Sequence, residues 1–437
     1  MLRFASSPTD DMHISNLRVA IVSYLMSQQK EENFTVRIDD THKKENIEGK
    51  DTEIMQILEK FALTHTSVFH QSEHLHMHQT FAIKLLEENS AFLCTCTLHD
   101  ETGSYTEQSY LGHCQDIDPS EQKELHKSLK ASGKPFVIRL KSPTHNIVYH
   151  DLIQGDVMTP IDKVDSFVIL HEDGTPSHTF ASACDDMLSG VTTVIDTAEH
   201  LRDTAKEVHI KKQLGYEQET NYVHLSSLLN VDGKALSKED DLFYVKSLLE
   251  EGFIPDAIIN YLLLLGYTSG NQEIFTLPEA IEWFNLDNLS KTATTFDIEK
   301  LRFINKEHLK KMDDKRLSSL FGFADESIGK LAKLYLEEVS TTKELEAKVK
   351  PIFQAKDFSR QYGKEMRKLE HIIADAPYIE SYDAFHAYLT KKSGFSDKIL
   401  LKPLRCLLTG NYSNTENEPK LSDIYPFIKS YILEVAS

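Results

Sequence analysis

The spacing of apolar residues changes several times along this chain. Leu2, Phe4 and Ala5 surround Arg3 in a short apolar run that predicts a strand. The turn-rich stretch Ser6-Ser7-Pro8-Thr9-Asp10-Asp11 follows it. Ile14, Leu17, Ile21, Tyr24 and Leu25 then recur at helical spacing. Phe34-Thr35-Val36-Arg37-Ile38 is rich in β-branched and aromatic residues and predicts a second strand, and Ile54, Ile57, Leu58 and Phe61 predict a second helix. Strand and helix alternating in this way predict a parallel α/β domain.

Between about 90 and 180 the pattern differs. Pro135-Phe136-Val137-Ile138-Arg139-Leu140 and Phe167-Val168-Ile169-Leu170 predict strands, the second ending at an Asp173-Gly174 turn. An inserted α+β domain is expected there, with a return to the α/β domain over 181–240. Beyond 240 the apolar spacing is mostly helical, as in Leu248, Leu249, Ile254, Ile258, Ile259, Leu262 and Leu263. Lysine-rich amphipathic segments follow near 326–349 and 380–409. The expected segments are 1–88, 89–180, 181–240, 241–315 and 316–437.

A length of 437 residues suits two to four domains. No apolar run reaches the ~18 residues of a membrane span. The N-terminus lacks the charged-then-apolar layout of a signal peptide, so the expected location is the cytoplasm. Five cysteines are too few and too unevenly spread for a disulfide framework. A net charge of −20 argues against indiscriminate binding to DNA or other nucleic acid, but leaves room for a specific RNA partner on a local basic face.

Arg3-Phe4-Ala5-Ser6-Ser7-Pro8-Thr9 leads into His13-Ile14-Ser15-Asn16. This resembles the HIGH signature of class I aminoacyl-tRNA synthetases in its glutamyl form. A strand-to-helix turn of this kind offers free backbone N–H groups and a helix dipole to the phosphates of ATP. Far downstream, Gly233-Lys234-Ala235-Leu236-Ser237-Lys238-Glu239-Asp240 resembles the KMSKS loop. Between and beyond them, Arg37-Ile38-Asp39-Asp40-Thr41, Glu279-Ala280-Ile281-Glu282-Trp283-Phe284, Phe296 to Asn305, and Lys402-Pro403-Leu404-Arg405 with Leu408-Thr409-Gly410 follow the family's order. The chain is identified as resembling the bacterial-type glutamyl-tRNA synthetases along nearly its whole length.

The resemblance implies a Rossmann-type catalytic domain, an inserted acceptor-stem-binding domain and an all-helical C-terminal half that contacts the tRNA stem and anticodon. It implies glutamate, ATP with Mg²⁺ and a tRNA as substrates, and a monomer. His13 and Lys238 would be catalytic. His13, Ile14, Ser15, Asn16 and Ala235, Leu236, Ser237, Lys238, Glu239 would bind ATP. Arg3, Ser7, Asp39, His178 and Asp196 would form the amino-acid pocket.

Several of these positions depart from the family. Asp10 and Ser15 replace glycines, Asp39 replaces a glutamate, and His178 replaces a tyrosine. Asp196 stands where the family has an arginine in Val-Ile-Arg-Gly-Glu-Asp-His. A carboxylate there repels a carboxylate substrate, and Asp196 is expected to pair with Arg3 instead. A protonated His178 would compensate in part. A second reading has Asp196 facing solvent while a neighbouring cation takes the arginine's role. The loop Ala235–Glu239 sums to zero charge. Two alternatives to an ordinary glutamate–tRNA ligase follow: a paralogue that binds tRNA with weak or no charging, and a form that charges tRNA(Gln) with glutamate.

Cys94-Thr95-Cys96 and Tyr110-Leu111-Gly112-His113-Cys114 resemble the zinc site of some glutamyl enzymes. Three thiols suit Zn²⁺. Tyr110, His113 and a later residue are all open as the fourth ligand, and His99 is near in sequence. Buried thiols without a metal are the alternative. Lysines and arginines gather at Lys211-Lys212, Lys310-Lys311, Arg360 to Lys368, and Lys391 to Arg405, and a share of them is expected to meet phosphate.

Overall fold

The computed structural model describes residues 1–96, 110, 112–236, 243–268, 272–412 and 418–437. The chain forms two compact units, 1–246 with 262–296, and 247–261 with 297–437.

The first unit is built on a seven-stranded sheet. Its elements are β1 (Leu2–Ser6), α1 (Ile14–Gln29), β2 (Phe34–Ile38), α2 (Lys50–Lys60), β3 (Ser67–His70), α3 (Leu75–Glu87), β4 (Ala91–Cys94), α4 (Pro119–Ser132), β5 (Val137–Leu140), β6 (Ile147–Asp151), β7 (Gly155–Thr159), β8 (Phe167–Leu170), α5 (His178–Ser189), β9 (Thr193–Thr197), α6 (Leu201–Gln213) and β10 (Asn221–Leu225). The sheet order is β3-β2-β1-β9-β10-β6-β7, parallel except for the β6–β7 hairpin. The chain steps outward from β1 through β2 to β3 on one side and from β9 to β10 on the other, with the earlier β6–β7 hairpin added beyond β10. The crevice at the C-terminal ends of β1 and β9 is therefore a topological switch point, where open α/β sheets bind ligands.

Helix α1 shows why that crevice is firmly placed. Eleven of its sixteen residues are buried, well beyond the periodic set seen in the sequence. Apolar and small residues cover almost its whole circumference, so it sits inside the unit. Arg18 lies on the same helix and donates to the carbonyls of Ser226 at 3.0 Å and Leu265 at 2.6 Å. Burial pushes its guanidinium down to about 10.

The expected insertion divides in two. Strands β4, β5 and β8 form a separate antiparallel sheet, whereas β6 and β7 join the main one. Asp151 makes that attachment. One of its carboxylate oxygens accepts from the amides of Ile153 and Gln154 at the hairpin turn, and the other from the His224 amide on β10 at 3.0 Å.

The second unit is helical, running from Ile298–Lys311 through Gly363–Ala374, Tyr382–Ser393 and Asp397–Thr409 to Leu421–Ile428. Two buried polar side chains tie its loops. Asn305 accepts from the Ile254 amide at 2.8 Å and donates to the Ser340 carbonyl at 2.6 Å. The ammonium of Lys356 donates to the carbonyls of Pro351, Ile352 and Gln354 at 2.9, 2.8 and 2.6 Å.

Candidate active site

A cavity of about 330 Å³ opens at the β1–β9 crevice. Arg3, Ser7, His13, Ser15, Asn16, Asp39, His178, Asp196 and Leu236 all line it, so residues from distant stretches of the sequence meet there. Ile14 is buried behind them in the first turn of α1. Ala235 pairs with Leu229 beside the cavity-lining Leu236, after a tight turn in which the Asn230 amide donates to the Lys234 carbonyl. Ser237, Lys238 and Glu239 lie outside the described residues.

His13 is the N-cap of α1. Its Nδ1 accepts from the Ser15 amide at 3.2 Å and lies 3.1 Å from the Ser15 hydroxyl. An Nδ1 that accepts from a backbone N–H keeps the ring proton on Nε2, as a donor to a phosphate requires. The hydroxyl of the serine that replaces a glycine here adds a contact to the histidine ring, beside the amide that a glycine would also supply. Asp10, the other replaced glycine, accepts from the Tyr244 hydroxyl at 3.1 Å. Neither Asp10 nor Ser15 has a positive φ, so the backbone does not demand glycine at either position.

At the opposite wall the charges form a chain. Arg3 donates through Nε and Nη2 to Asp186 at 3.0 and 3.1 Å. Arg37 donates through Nη1 to Asp186 at 2.8 Å and through Nε to Asp39 at 2.6 Å. It also meets the Ser182 hydroxyl at 3.0 Å. All four charged side chains are buried. Burial alone would raise the Asp39 carboxyl, but Arg37 and His178 outweigh it and hold it well below the usual carboxylate range. Burial likewise opposes the Asp186 charge, while Arg3 and Arg37 hold its carboxyl down.

Asp196 therefore does not pair with Arg3. That arginine is already held by Asp186, which reaches it from helix α5, where the adjacent acids Asp185-Asp186 interrupt a buried face. Half-buried Asp196 instead accepts from the Thr197 amide at 2.7 Å. Two histidines of the cavity are made more basic by neighbouring carboxylates. His178 lies 3.3 Å from Asp39, and that contact raises its basicity. His200 is pushed up to about 9 by Asp203 and, less strongly, by Asp196. Sequence reasoning missed Arg37, His200 and Glu207 as cavity residues, and Asp186 as the buried acid that holds Arg3 and Arg37. The acid pair inside an apolar helical run was the available signal for Asp186.

The cysteines also converge. Cys94, Cys96 and Cys114 bring their sulfurs within 4.8 Å of one another, with Cys96 and Cys114 at 3.4 Å. The Tyr110 hydroxyl lies 3.8 Å from the Cys96 sulfur and accepts from the Cys114 amide at 2.9 Å. A Cβ on Gly112 would fall 2.5 Å from the Cys96 sulfur, so only glycine passes between thiol and phenol. Burial pushes the Cys94 thiol up to about 11. Cys96 is held below its usual value despite burial, by hydrogen bonds from Cys114 and Tyr110. Three thiols and a phenol at these separations fit a tetrahedral Zn²⁺. His113 is exposed and outside the cluster, and His99 lies outside the described residues. Of the basic clusters, Lys211 is buried beside Tyr222 rather than displayed on the surface.

Residues 1–303 match the family described as tRNA synthetases class I (E and Q), catalytic domain. The chain is 58% identical to glutamate–tRNA ligase 2 of Sulfurovum sp. over 437 residues, covering 100% of both. It is 46% identical to glutamate–tRNA ligase 1 of Nitratiruptor sp., again over 100% of each. In fold it resembles a crystal structure of glutamate-tRNA synthetase from Elizabethkingia anophelis with a TM-score of 0.77 at 25% identity, over 99% of this chain and 98% of that one. A signature histidine heading a buried helix, a cavity at the sheet's switch point and end-to-end relatedness agree: the chain belongs to the class I glutamyl and glutaminyl tRNA synthetase family.

Proposed function

We propose that this protein is a glutamate–tRNA ligase, which joins glutamate to ATP as glutamyl-adenylate and passes it to the acceptor end of a tRNA. The 58% identity to the Sulfurovum glutamate–tRNA ligase 2 over the whole of both chains carries this reading. The cavity supplies the physical support. His13, with its proton on Nε2, would donate to a phosphate oxygen as charge develops during adenylate formation. Lys238 would act on the same phosphates, with Mg²⁺ neutralising ATP. Ser7 and the Arg3–Asp186–Arg37–Asp39 chain would hold the amino acid, Asp39 receiving its ammonium group.

Cys94, Cys96 and Cys114 with Tyr110 would hold Zn²⁺, whose role there would be to fix the three-stranded sheet. Residues 89–180 would meet the acceptor stem, 241–315 the tRNA stem and 316–437 the anticodon, in a monomer working in the cytoplasm.

ATP–pyrophosphate exchange with glutamate, run in the presence of tRNA, tests the activation step. Charging of purified tRNA(Glu) and tRNA(Gln) then identifies the acceptor. Tight tRNA binding with no exchange would replace this reading with that of a non-charging paralogue.

A further inference from the structure

Seven carboxylates line the catalytic cavity, and five are engaged within the protein. Asp10 is held by Tyr244, Asp11 by Lys50, Asp39 by Arg37, Asp196 by the Thr197 amide and Asp203 by His200. Glu199 is exposed. Glu207 is different: half-buried on α6, facing the cavity, it has no hydrogen bond or ion pair among the described residues. Arg3 faces the same cavity with Nε and Nη2 committed to Asp186, while its Nη1 has no hydrogen-bond partner among the described residues. One wall thus presents an unengaged guanidinium edge and an unengaged carboxyl group, in a cavity proposed above to take glutamate.

We propose that Glu207 is a specificity-determining residue that recognises the side-chain carboxylate of the amino-acid substrate as a neutral acid, so that a proton from solvent enters the cavity with glutamate. The inference rests on glutamate being the ligand of this cavity. Arg3 Nη1 and the O–H of Glu207 donate to the incoming carboxylate. The only bond made is that O–H. Two carboxyl groups in contact cannot both ionise at low cost, so they share one proton.

The surroundings favour the neutral acid. Burial, then Asp186 on α5, raise the Glu207 carboxyl, with a smaller contribution from Asp196 on β9. Lys211 on its own helix and Arg3 on β1 oppose them, and the balance leaves it at about 6. His178 on α5 feels the Glu207 charge, as do the phenols Tyr149 and Tyr222, on β6 and β10. The phenols stay neutral, being raised by burial. His178 adds a pH dependence of its own, which a Glu207 variant retains.

Isothermal titration of the full chain with glutamate, from pH 5.5 to 8 in buffers of different ionisation enthalpy, tests the proposal. Wild type is expected to take up nearly one proton per glutamate above pH 7 and little below pH 6. Its Kd should rise up to roughly tenfold per pH unit above about 6. Glu207→Gln keeps a donor without a titrating proton, so it should lose that uptake and bind with a flatter pH profile. Asp196→Asn should move the wild-type break to lower pH. Glutamine should bind, where it binds at all, without the uptake. Equal proton uptake by wild type and Glu207→Gln would overturn the proposal while leaving glutamate as the ligand. No glutamate binding at any pH, by a chain that still binds ATP, would overturn the ligand assignment and this inference together.

Discussion

Asp186→Asn tests the buried charge chain most directly. Asp186 accepts three charge-assisted hydrogen bonds, two from Arg3 and one from Arg37, with its side chain only 1% exposed. Each such bond is worth about 1.5–3 kcal/mol. Asparagine keeps one acceptor oxygen, but its NH₂ group faces guanidinium hydrogens and its neutrality leaves a buried positive charge uncompensated. Removing one partner of a buried pair costs roughly 3–5 kcal/mol. We take the lower end, about 3 kcal/mol, because Asp39 still balances Arg37. At the usual slope for a unit of this size that lowers the melting temperature by roughly 6–12 °C. The single tryptophan, Trp283, belongs to the first unit, so its fluorescence reports that unit's unfolding. Because the Asp186 carboxyl is held below its unfolded value, its contribution is complete above about pH 4 and disappears as the pH falls through the folded value. The difference between wild type and variant should therefore be full at pH 7 and shrink in acid. The variant should also raise the KM for glutamate more than it lowers kcat, since Arg3 loses its orientation. A variant melting within about 1 °C of wild type at pH 7 would refute the reasoning.

Protein purified without a chelating tag should carry about one zinc per chain, and Cys96→Ser should lower this to a trace; under ~0.2 zinc in wild type by elemental analysis rejects the site. Ser15→Gly removes the hydroxyl beside His13 Nδ1 but keeps the amide donor, so the KM for ATP should change by less than about threefold. A tenfold gain would mean that the serine side chain obstructs the nucleotide. Lys356→Met leaves three carbonyls without their charged donor and should cost about 2 kcal/mol. Faster amide exchange across 350–362 is the expected readout, and unchanged exchange would count against the ammonium as the organiser of that loop.

The parallel α/β domain was legible because β1 and β2 are short apolar runs and α1 and α2 carry apolar residues at helical spacing. The departure at 147–159 was not. A hairpin that alternates buried and exposed residues reads the same whichever sheet it joins, and the decisive contact, Asp151 with the His224 amide, spans 73 residues. Motif order placed Arg3, His13, Asp39, His178 and Asp196 around one cavity. It did not reveal which acid holds Arg3, since Asp186 and Asp196 are both plausible from sequence and only the orientation of α5 separates them. Glu207 was hidden for a related reason. A lone glutamate among the lysines of α6 looks like solvent-facing charge until the helix is set against the sheet.

The same geometry bears on how the unusual residues should be understood. A cavity that had merely lost selection would be expected to contain polar replacements with no partners, each costing about 1–3 kcal/mol where buried. Here the replacements are paired. Asp10 accepts from Tyr244, Ser15 meets His13, Asp39 is bridged by Arg37 and approached by His178, and Asp196 accepts from the Thr197 amide while favouring the charge on His200. His178, in place of a tyrosine, and His200, at the family's own histidine, are both made more basic by neighbouring carboxylates in the cavity where an arginine has become an aspartate. Their charge is tied to pH, as an arginine's is not. The departures are therefore mutually consistent, and the expectation they support is a site whose affinity for an acidic substrate follows protonation.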